Sequence, residues 1–411
     1  MLAAISLGAA ISMRPIQVEP RPYEDTGDLL FPDFKDPSTA TSLEVVSWDE
    51  KQARLVSFKV EQKAGRWVIP SHNDYPADGT ERMGKAAASF IDVRRDLVQT
   101  DRVEDQAALG VEDPDKADGT GRGQRITIKD QSGATLVDII VGKQVENKQG
   151  YRYVRFPDQK RVYVSKLELD ISTEFTDWIE KDLLHVERDS IYRLISDAYH
   201  VDEAAGKVVD TDPLLVELVP KPDAPDQTEW QVGPDINIPA GKVLDTTKVS
   251  QVLGAIDRLT IVGVRPRPAQ LTLQALQSKG FFVTQSGQRL YGNEGEVRAV
   301  CDDGVVYVLY FGEITFDSGL ALTAGAEGEG AKAAAEGDDK KGSRYMFVDV
   351  AYDPGSDRKP PVEGGEGPEG AKRAESLQKR FDQWFYVITD DSFKQMHKAK
   401  AEFLKDAPAA G

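Results

Sequence analysis

The sequence is short of the residues that most chemistry needs. Of 411 residues one is cysteine, Cys301, so an internal disulfide and a cysteine-based metal site are both excluded. Cys301 shares one face of an alternating run with Val297 and Ala299 and is expected to be a small buried residue, not a nucleophile. Such cysteine poverty fits the cytosol and equally an exported protein that does without disulfides. The four histidines, His72, His185, His200 and His397, stand far apart, with no pair at i+3 or i+4 to form a metal-binding helix face. Lys and Arg number 51 against 69 Asp and Glu, a formal net charge of −18, which argues against a nucleic-acid partner and leaves a self-repelling acidic surface. There is no Gly-x-Ser-x-Gly elbow and no calcium-loop pattern. Gly119-Thr120-Gly121-Arg122-Gly123 precedes a strand, whereas a phosphate cradle follows a strand and opens a helix.

Long apolar runs are missing too. The uncharged opening, Leu2 to Met13, has twelve residues, below the roughly 20 that cross a bilayer, and no basic segment precedes it. Three readings fit residues 1–13: the tail of a membrane anchor, a short export signal, or an ordinary apolar terminus. Residues 14–39 are Pro-rich and acidic, and read as a spacer.

What is present is a repeat. Trp67 is followed after nine residues by Pro76-Ala77, then by apolar positions Ala87, Phe90, Val93 and Leu97 at helical spacing. Trp230 is followed at the same distance by Pro239-Ala240, then by Val249, Leu253, Ile256 and Leu259. Both the Trp and the Pro-Ala pairs are offset by 163 residues. Length suits two domains, and 40% hydrophobic content with 15 Phe, 13 Tyr and 5 Trp suffices for two cores. The expectation is an α+β protein of two duplicated units, 40–188 and 189–411, each a mainly antiparallel sheet packed with helices.

Alternation predicts strands over 42–48, 54–60 and 65–70, then a helix from Asp78 or Thr80 to about Val98. Further strands follow over 125–128, 136–141 (closed by Gly142), 151–156 and 161–164, and then a helical pattern through Leu167, Ile171, Phe175, Trp178, Ile179 and Leu183. The second unit repeats the order, with strands over 190–195, 214–219, 288–291, 295–301, 305–311 (closed by Gly312), 344–347 and 384–387, and a closing helix over 393–404. From Gly142 to Arg152 is 10 residues but from Gly312 to Arg344 is 32, so the second copy carries 22 more there. This insert, near 319–343, and another near 353–378 lack the apolar content to fold alone and are expected to be disordered.

Few side chains suggest a site. Trp67 and Trp230 recur at matching positions, which favours packing over ligand stacking. Asp302-Asp303 and Asp390-Asp391 are placed at turns or helix caps. Tyr151, Tyr153 and Phe156, with Arg152 and Arg155 between them, could present a cationic or aromatic binding edge. No catalytic, cofactor-binding or metal-ligating residue is assigned.

Trp67-Val68-Ile69, Pro76-Ala77-Asp78, the helix after it, the strand reaching Gly142, the Tyr151-Arg152-Tyr153-Val154 hairpin and the Trp178 segment together resemble the bacterial domain-of-unknown-function family DUF4340. Phe31-Pro32-Asp33-Phe34 leading into Ala40 to Glu44 is similar to the entry of that domain. The resemblance covers most of residues 40–310. It implies an N-terminal membrane anchor, a domain outside the cytoplasm, and a relation to auxiliary subunits of ABC-type transporters of the gliding-motility kind. It carries over no functional residue.

The expected function is therefore a non-enzymatic accessory or binding protein of the cell envelope, anchored in the cytoplasmic membrane, without a cofactor, its partners being transporter subunits or other envelope proteins. The alternative is an envelope hydrolase acting on glycan or peptide in an interdomain cleft, and a third reading is a self-assembling surface-layer component.

Overall fold

A computed structural model describes residues 25–50, 53–116, 120–268, 272–283, 289–325, 342–359 and 367–408. The opening segment 1–13, most of the spacer's first half and most of the insert after Ala324 lie outside these residues. The chain forms two compact units, one of residues 1–59 with 80–171, the other of 60–79 with 172–411. The division runs through the second strand, so the compact units and the sequence-order repeats partition the chain differently.

In chain order the elements begin with β1 (Ala40–Asp49), β2 (Arg54–Lys63), β3 (Arg66–Ile69), β4 (Tyr75–Pro76), helix α1 (Thr80–Ala88) and β5 (Leu97–Thr100). Next come α2 (Gln106–Leu109), β6 (Gln124–Asp130), β7 (Thr135–Gln144), β8 (Tyr151–Arg155), β9 (Val162–Lys166) and the single turn α3 (Phe175–Trp178). The sheet order is β4-β3-β2-β1-β6-β7-β8-β9-β5. Its register places Leu43 opposite Ile128 and Val45 opposite Ile126, with Ile126 opposite Ile139 and Ile128 opposite Val137. These all fall on one buried face because opposed residues share a side of the sheet. Helix α1 packs on β1 with Met83, Ala86 and Ala87 buried. On the other face Val111, Ile140 and Val162 make a smaller cluster.

The chain continues through β10 (Ile191–Asp197), β11 (His200–Asp202), β12 (Lys207–Val209), β13 (Leu214–Lys221), β14 (Ala224–Val232), β15 (Lys242–Leu244), α4 (Thr246–Asp257), β16 (Gly263–Pro266) and α5 (Leu273–Gln277). Then follow β17 (Phe281–Val283), β18 (Leu290–Gly292), β19 (Glu296–Cys301), β20 (Asp303–Thr315), α6 (Gly319–Ala324), β21 (Ser343–Asp357), α7 (Glu369–Phe381), β22 (Trp384–Thr389), α8 (Asp390–Met396) and β23 (Leu404–Asp406). The second large sheet has the order β14-β13-β10-β19-β20-β21-β22-β16. Asp245 caps α4 by accepting from the Thr247 N–H at 3.1 Å, and the helix buries Val249, Val252, Leu253 and Ile256, each worth ~1.5–3 kcal/mol.

The ladders are antiparallel and the fold is α+β, as the alternation implies. Counted along the chain within each sheet, and leaving out the short edge strand β4, both orders read 3-2-1-5-6-7-8-4. Trp67 and Trp230 both lie on the third strand of their sheets.

Several local expectations are corrected. The first-unit helix stops at Ala88, because the backbone tightens to i→i−3 bonds at Phe90 and Ile91 and Asp92 turns left-handed (φ 57°). Leu97, expected on the helix face, instead starts β5 and is exposed. The helical spacing from Leu167 to Leu183 folds as irregular chain around the one turn α3; its apolar side chains are buried apart from half-buried Ile171, but Ser172 and Asp182 take local bonds that compete with a helix. The closing helix ends at Met396, where His397 is extended, and resumes as a 3-10 turn over Lys400–Phe403. Gly142 and Gly312 do not end their strands: β7 and β20 run past them, and the register shifts between Val141 and Gln144 and between Phe311 and Ile314. Each glycine marks a bulge. The insert near 353–378 also holds order, since β21 extends to Asp357 and α7 buries Ala374, Leu377 and Phe381.

Candidate functional site

In the second unit, β4, the segment after α3, the last turn of α7 and β22 surround a cavity of about 370 Å³. Its aromatic walls are Tyr75, Trp384 and Tyr386, and Pro76, Ala77 and Asp78 complete one side. Ile69 opposite Tyr75 and Val68 opposite Pro76 fix β4, and Pro76 is tolerated there because the strand is at an edge. The next residues are pinned by main-chain bonds, Ala77 N–H to Trp67 O at 2.9 Å and Asp78 N–H to Trp178 O at 2.7 Å. Trp384 and Tyr386 share one face of β22 by the two-residue period. Phe385 between them points into the cluster of Leu276, Phe281, Tyr310 and Phe347.

Besides exposed Asp78, charge enters this aromatic cavity at one place. Arg380 Nη1 donates to Glu180 Oε2 at 2.8 Å, and the His185 Nε2 lies 2.6 Å from Glu180 Oε1 and 2.9 Å from Arg380 Nη1. Burial works to raise the Glu180 pKa, but the hydrogen bond and charge of Arg380, helped by His185, hold it below the ordinary carboxylate value. Burial pushes the Tyr75 hydroxyl up to about 12, with Glu180 adding to the shift and Arg380 opposing it. It also raises the Tyr386 hydroxyl well above its ordinary value, with Tyr75 contributing. Across neutral pH the cavity therefore keeps an ionised carboxylate and two protonated phenols. His185 sits in the left-handed region (φ 50°), a conformation that costs of order 1 kcal/mol or more outside glycine and that its packing must maintain. Its carbonyl accepts from Arg373 Nη2 at 2.8 Å and its N–H donates to Asp182 Oδ1 at 2.9 Å.

The structure gathers little of what the sequence suggested. Trp67 packs its ring on Gly79, where a Cβ would come to 2.9 Å, and Trp230 is half-buried opposite Leu218. His72 and His397 are stacked on Phe175 and Phe393, and His200 is exposed beside Asp210. Asp303 accepts from the Val305 N–H and from Arg373, Asp302 pairs with Lys359, and Asp390-Asp391 open α8. Cys301 is fully buried, and burial pushes its thiol up to about 11. Among the described residues no group of three or more His, Cys, Asp or Glu could hold a metal ion, and no helix is long and apolar enough to cross a membrane. Tyr75 adjoins the Pro76-Ala77-Asp78 motif, but Glu180, His185, Arg380, Trp384 and Tyr386 carried no signal in one sequence.

The family model of a domain of unknown function (DUF4340) matches residues 67–278, beginning at Trp67 itself. The chain belongs to the DUF4340 family. No curated protein and no solved structure matches it. The family match takes in Tyr75 to Asp78 and Glu180 of the cavity, with His185 beside Glu180, while Arg380, Trp384 and Tyr386 lie beyond it.

Proposed function

We propose that this DUF4340 protein is a non-enzymatic accessory or binding protein of the cell envelope, with the aromatic cavity of the second unit recognising part of its ligand or partner. The observation that carries the reading is Glu180, fixed in its ionised form between Arg380 and His185. A carboxylate held this way is a poor proton acceptor and a good orienting acceptor for a hydrogen-bond donor. Aromatic walls with a few fixed polar groups suit recognition of a small molecule or of a peptide side chain.

Family membership supports placing the protein at the envelope, tethered to the cytoplasmic membrane with its domains outside. The resemblance further supports service as an auxiliary component of an ABC-type transport system. The shared strand order supports descent of the two units from one duplicated ancestor. The second reading, an envelope hydrolase acting on glycan or peptide, is favoured by one contact, the His185 to Glu180 approach at 2.6 Å. The arginine pairing that lowers the Glu180 pKa weighs against it.

The test is a photo-crosslinking amino acid at exposed Asp78, on the cavity wall, with the products of native membranes identified by mass spectrometry. A defined crosslink to a transporter subunit or another envelope protein, lost on Trp384→Ala, supports the proposal. Turnover of a peptidoglycan or peptide substrate that Glu180→Gln abolishes would replace it with the hydrolase.

A further inference from the structure

Three side chains of the second unit's cavity, Tyr75, Trp384 and Tyr386, are each more than nine-tenths buried. Among the described residues, nothing bonds the hydroxyl of Tyr75, the hydroxyl of Tyr386 or the indole N–H of Trp384. Buried polar groups in folded proteins ordinarily find partners. Three without one on a single cavity wall point to an occupant that brings acceptors. The rings are also fixed in place. Trp384 meets Tyr75 edge-on with centroids 4.9 Å apart, Phe175 lies 5.7 Å from Tyr75, and Phe381 meets Tyr386 edge-on at 6.0 Å. Little side-chain freedom remains to be lost when a ligand enters.

In the first unit the corresponding position is filled from within. Register makes Tyr163 the counterpart of Tyr386: Arg152 lies opposite Ser165 and Val154 opposite Tyr163, as Arg344 lies opposite Ile388 and Met346 opposite Tyr386. On the other side Val98 of β5 faces Tyr163, and Val264 of β16 faces Tyr386. Tyr163 donates its hydroxyl to Asp25 Oδ2 at 2.5 Å, and Arg161 reaches Asp25 Oδ1 at 3.2 Å. The acceptor there is a carboxylate of the chain itself, matched to an arginine. In the second unit Trp384 stands where the first has Arg161, and among the described residues no carboxylate bonds Tyr386.

The chemistry of the cavity narrows the occupant. An anion would meet Glu180 and Asp78, whereas an ammonium would meet Arg380 and bring donors to an indole that only donates. A peptide strand finds no ladder on the β4 side, because Pro76 has no N–H and those of Ala77 and Asp78 are taken by the carbonyls of Trp67 and Trp178. A sugar hydroxyl both accepts and donates, and a sugar ring offers C–H groups to an aromatic wall. We infer that the cavity binds a neutral saccharide, whose hydroxyl oxygens accept from Tyr75, Tyr386 and Trp384 while its hydroxyl protons go to Glu180. This inference rests on the reading of the cavity as a binding site. A volume of about 370 Å³, toward the small end of ligand pockets, suits a short stretch of glycan.

The test is an array of neutral and acidic glycans probed with the full chain, the best-retained glycan then being titrated calorimetrically. Neutral glycans should be retained, and Tyr386→Phe and Trp384→Ala should each weaken binding at least tenfold. Tyr386→Phe removes an unpartnered hydroxyl and no packing, so its unfolding midpoint should equal or exceed that of the wild type, which separates lost binding from lost fold. Absence of any retained neutral glycan, preference for acidic ones, or Tyr386→Phe binding as tightly as wild type overturns the inference. If the array is blank while the Asp78 crosslink to an envelope protein still depends on Trp384, the saccharide is overturned and the binding reading stands. A retained glycan that the protein cleaves supports the saccharide and overturns the non-enzymatic reading.

Discussion

Lowering the pH from 7 to 5 should destabilise the second unit by about 2 kcal/mol through His72 alone. The ring is 2% exposed, stacked on Phe175 with centroids 4.3 Å apart, and its Nδ1 lies 2.9 Å from the Ser71 hydroxyl. Its Nε2 is buried without a hydrogen-bond partner, so a proton placed there would find no acceptor. Burial, with the charge of Arg265 second, pushes its pKa from 6.5 down to about 4. The unfolded chain therefore takes up a proton near pH 6.5 that the folded chain refuses until about pH 4. The stability from the neutral ring is fully present above the first value and is lost as pH falls toward the second, in total ~3 kcal/mol. His397 acts in the same direction, lowered to about 4 by burial and then by Arg344. Asp197, raised by burial, acts in the opposite direction, because the folded state takes up its proton first. Urea unfolding at each pH, on wild type and His72→Gln, gives the test. The variant loses absolute stability with the stacked ring, yet its pH-dependent loss should be about 2 kcal/mol smaller. Equal pH slopes for the two proteins, or an NMR titration of His72 centred near 6.5, would refute the reasoning.

Three further outcomes follow from burial and backbone geometry. Arg155 is 3% exposed and donates to the carbonyls of Val111, Phe156, Pro157 and Gln159, so Arg155→Leu should cost ~3 kcal/mol or more and lower the first unit's melting temperature. Gly121→Ala meets both a φ of +72° and the Ala107 carbonyl, and should destabilise by at least ~1–3 kcal/mol in denaturant unfolding. Cys301, fully buried with its thiol pushed up to about 11, should resist iodoacetamide in the native protein and react once denaturant is added; rapid native labelling would contradict its placement.

The strands were legible because half-buried antiparallel strands write their burial into the sequence with period two. Leu43 and Val45, Ile126 and Ile128, Val137 and Ile139 alternate with polar neighbours and face one core. Helices were less legible, since apolar residues at helical spacing also fill irregular buried chain. From Leu167 to Leu183 the spacing is right and the conformation is not, and a left-handed Asp92 ends the first-unit helix with no proline or glycine to announce it. Gly142 and Gly312 showed that something happens at both places, but a strand end and a bulge look alike in sequence. The cavity was illegible for a simpler reason: Tyr75 and Arg380 stand 305 residues apart, and only the folded chain brings β4 beside β22 and α7.

The central claim is that the second unit's cavity recognises a partner at the envelope and performs no catalysis. The most direct measurement is quantitative co-purification from native membranes after mild crosslinking, comparing the wild-type chain with Arg380→Ala, which removes the cation that orients Glu180. The account predicts a transporter permease or ATPase, or another envelope protein, recovered stoichiometrically with wild type and at least tenfold depleted with the variant. Recovery of both proteins alone, from the soluble fraction, would contradict it.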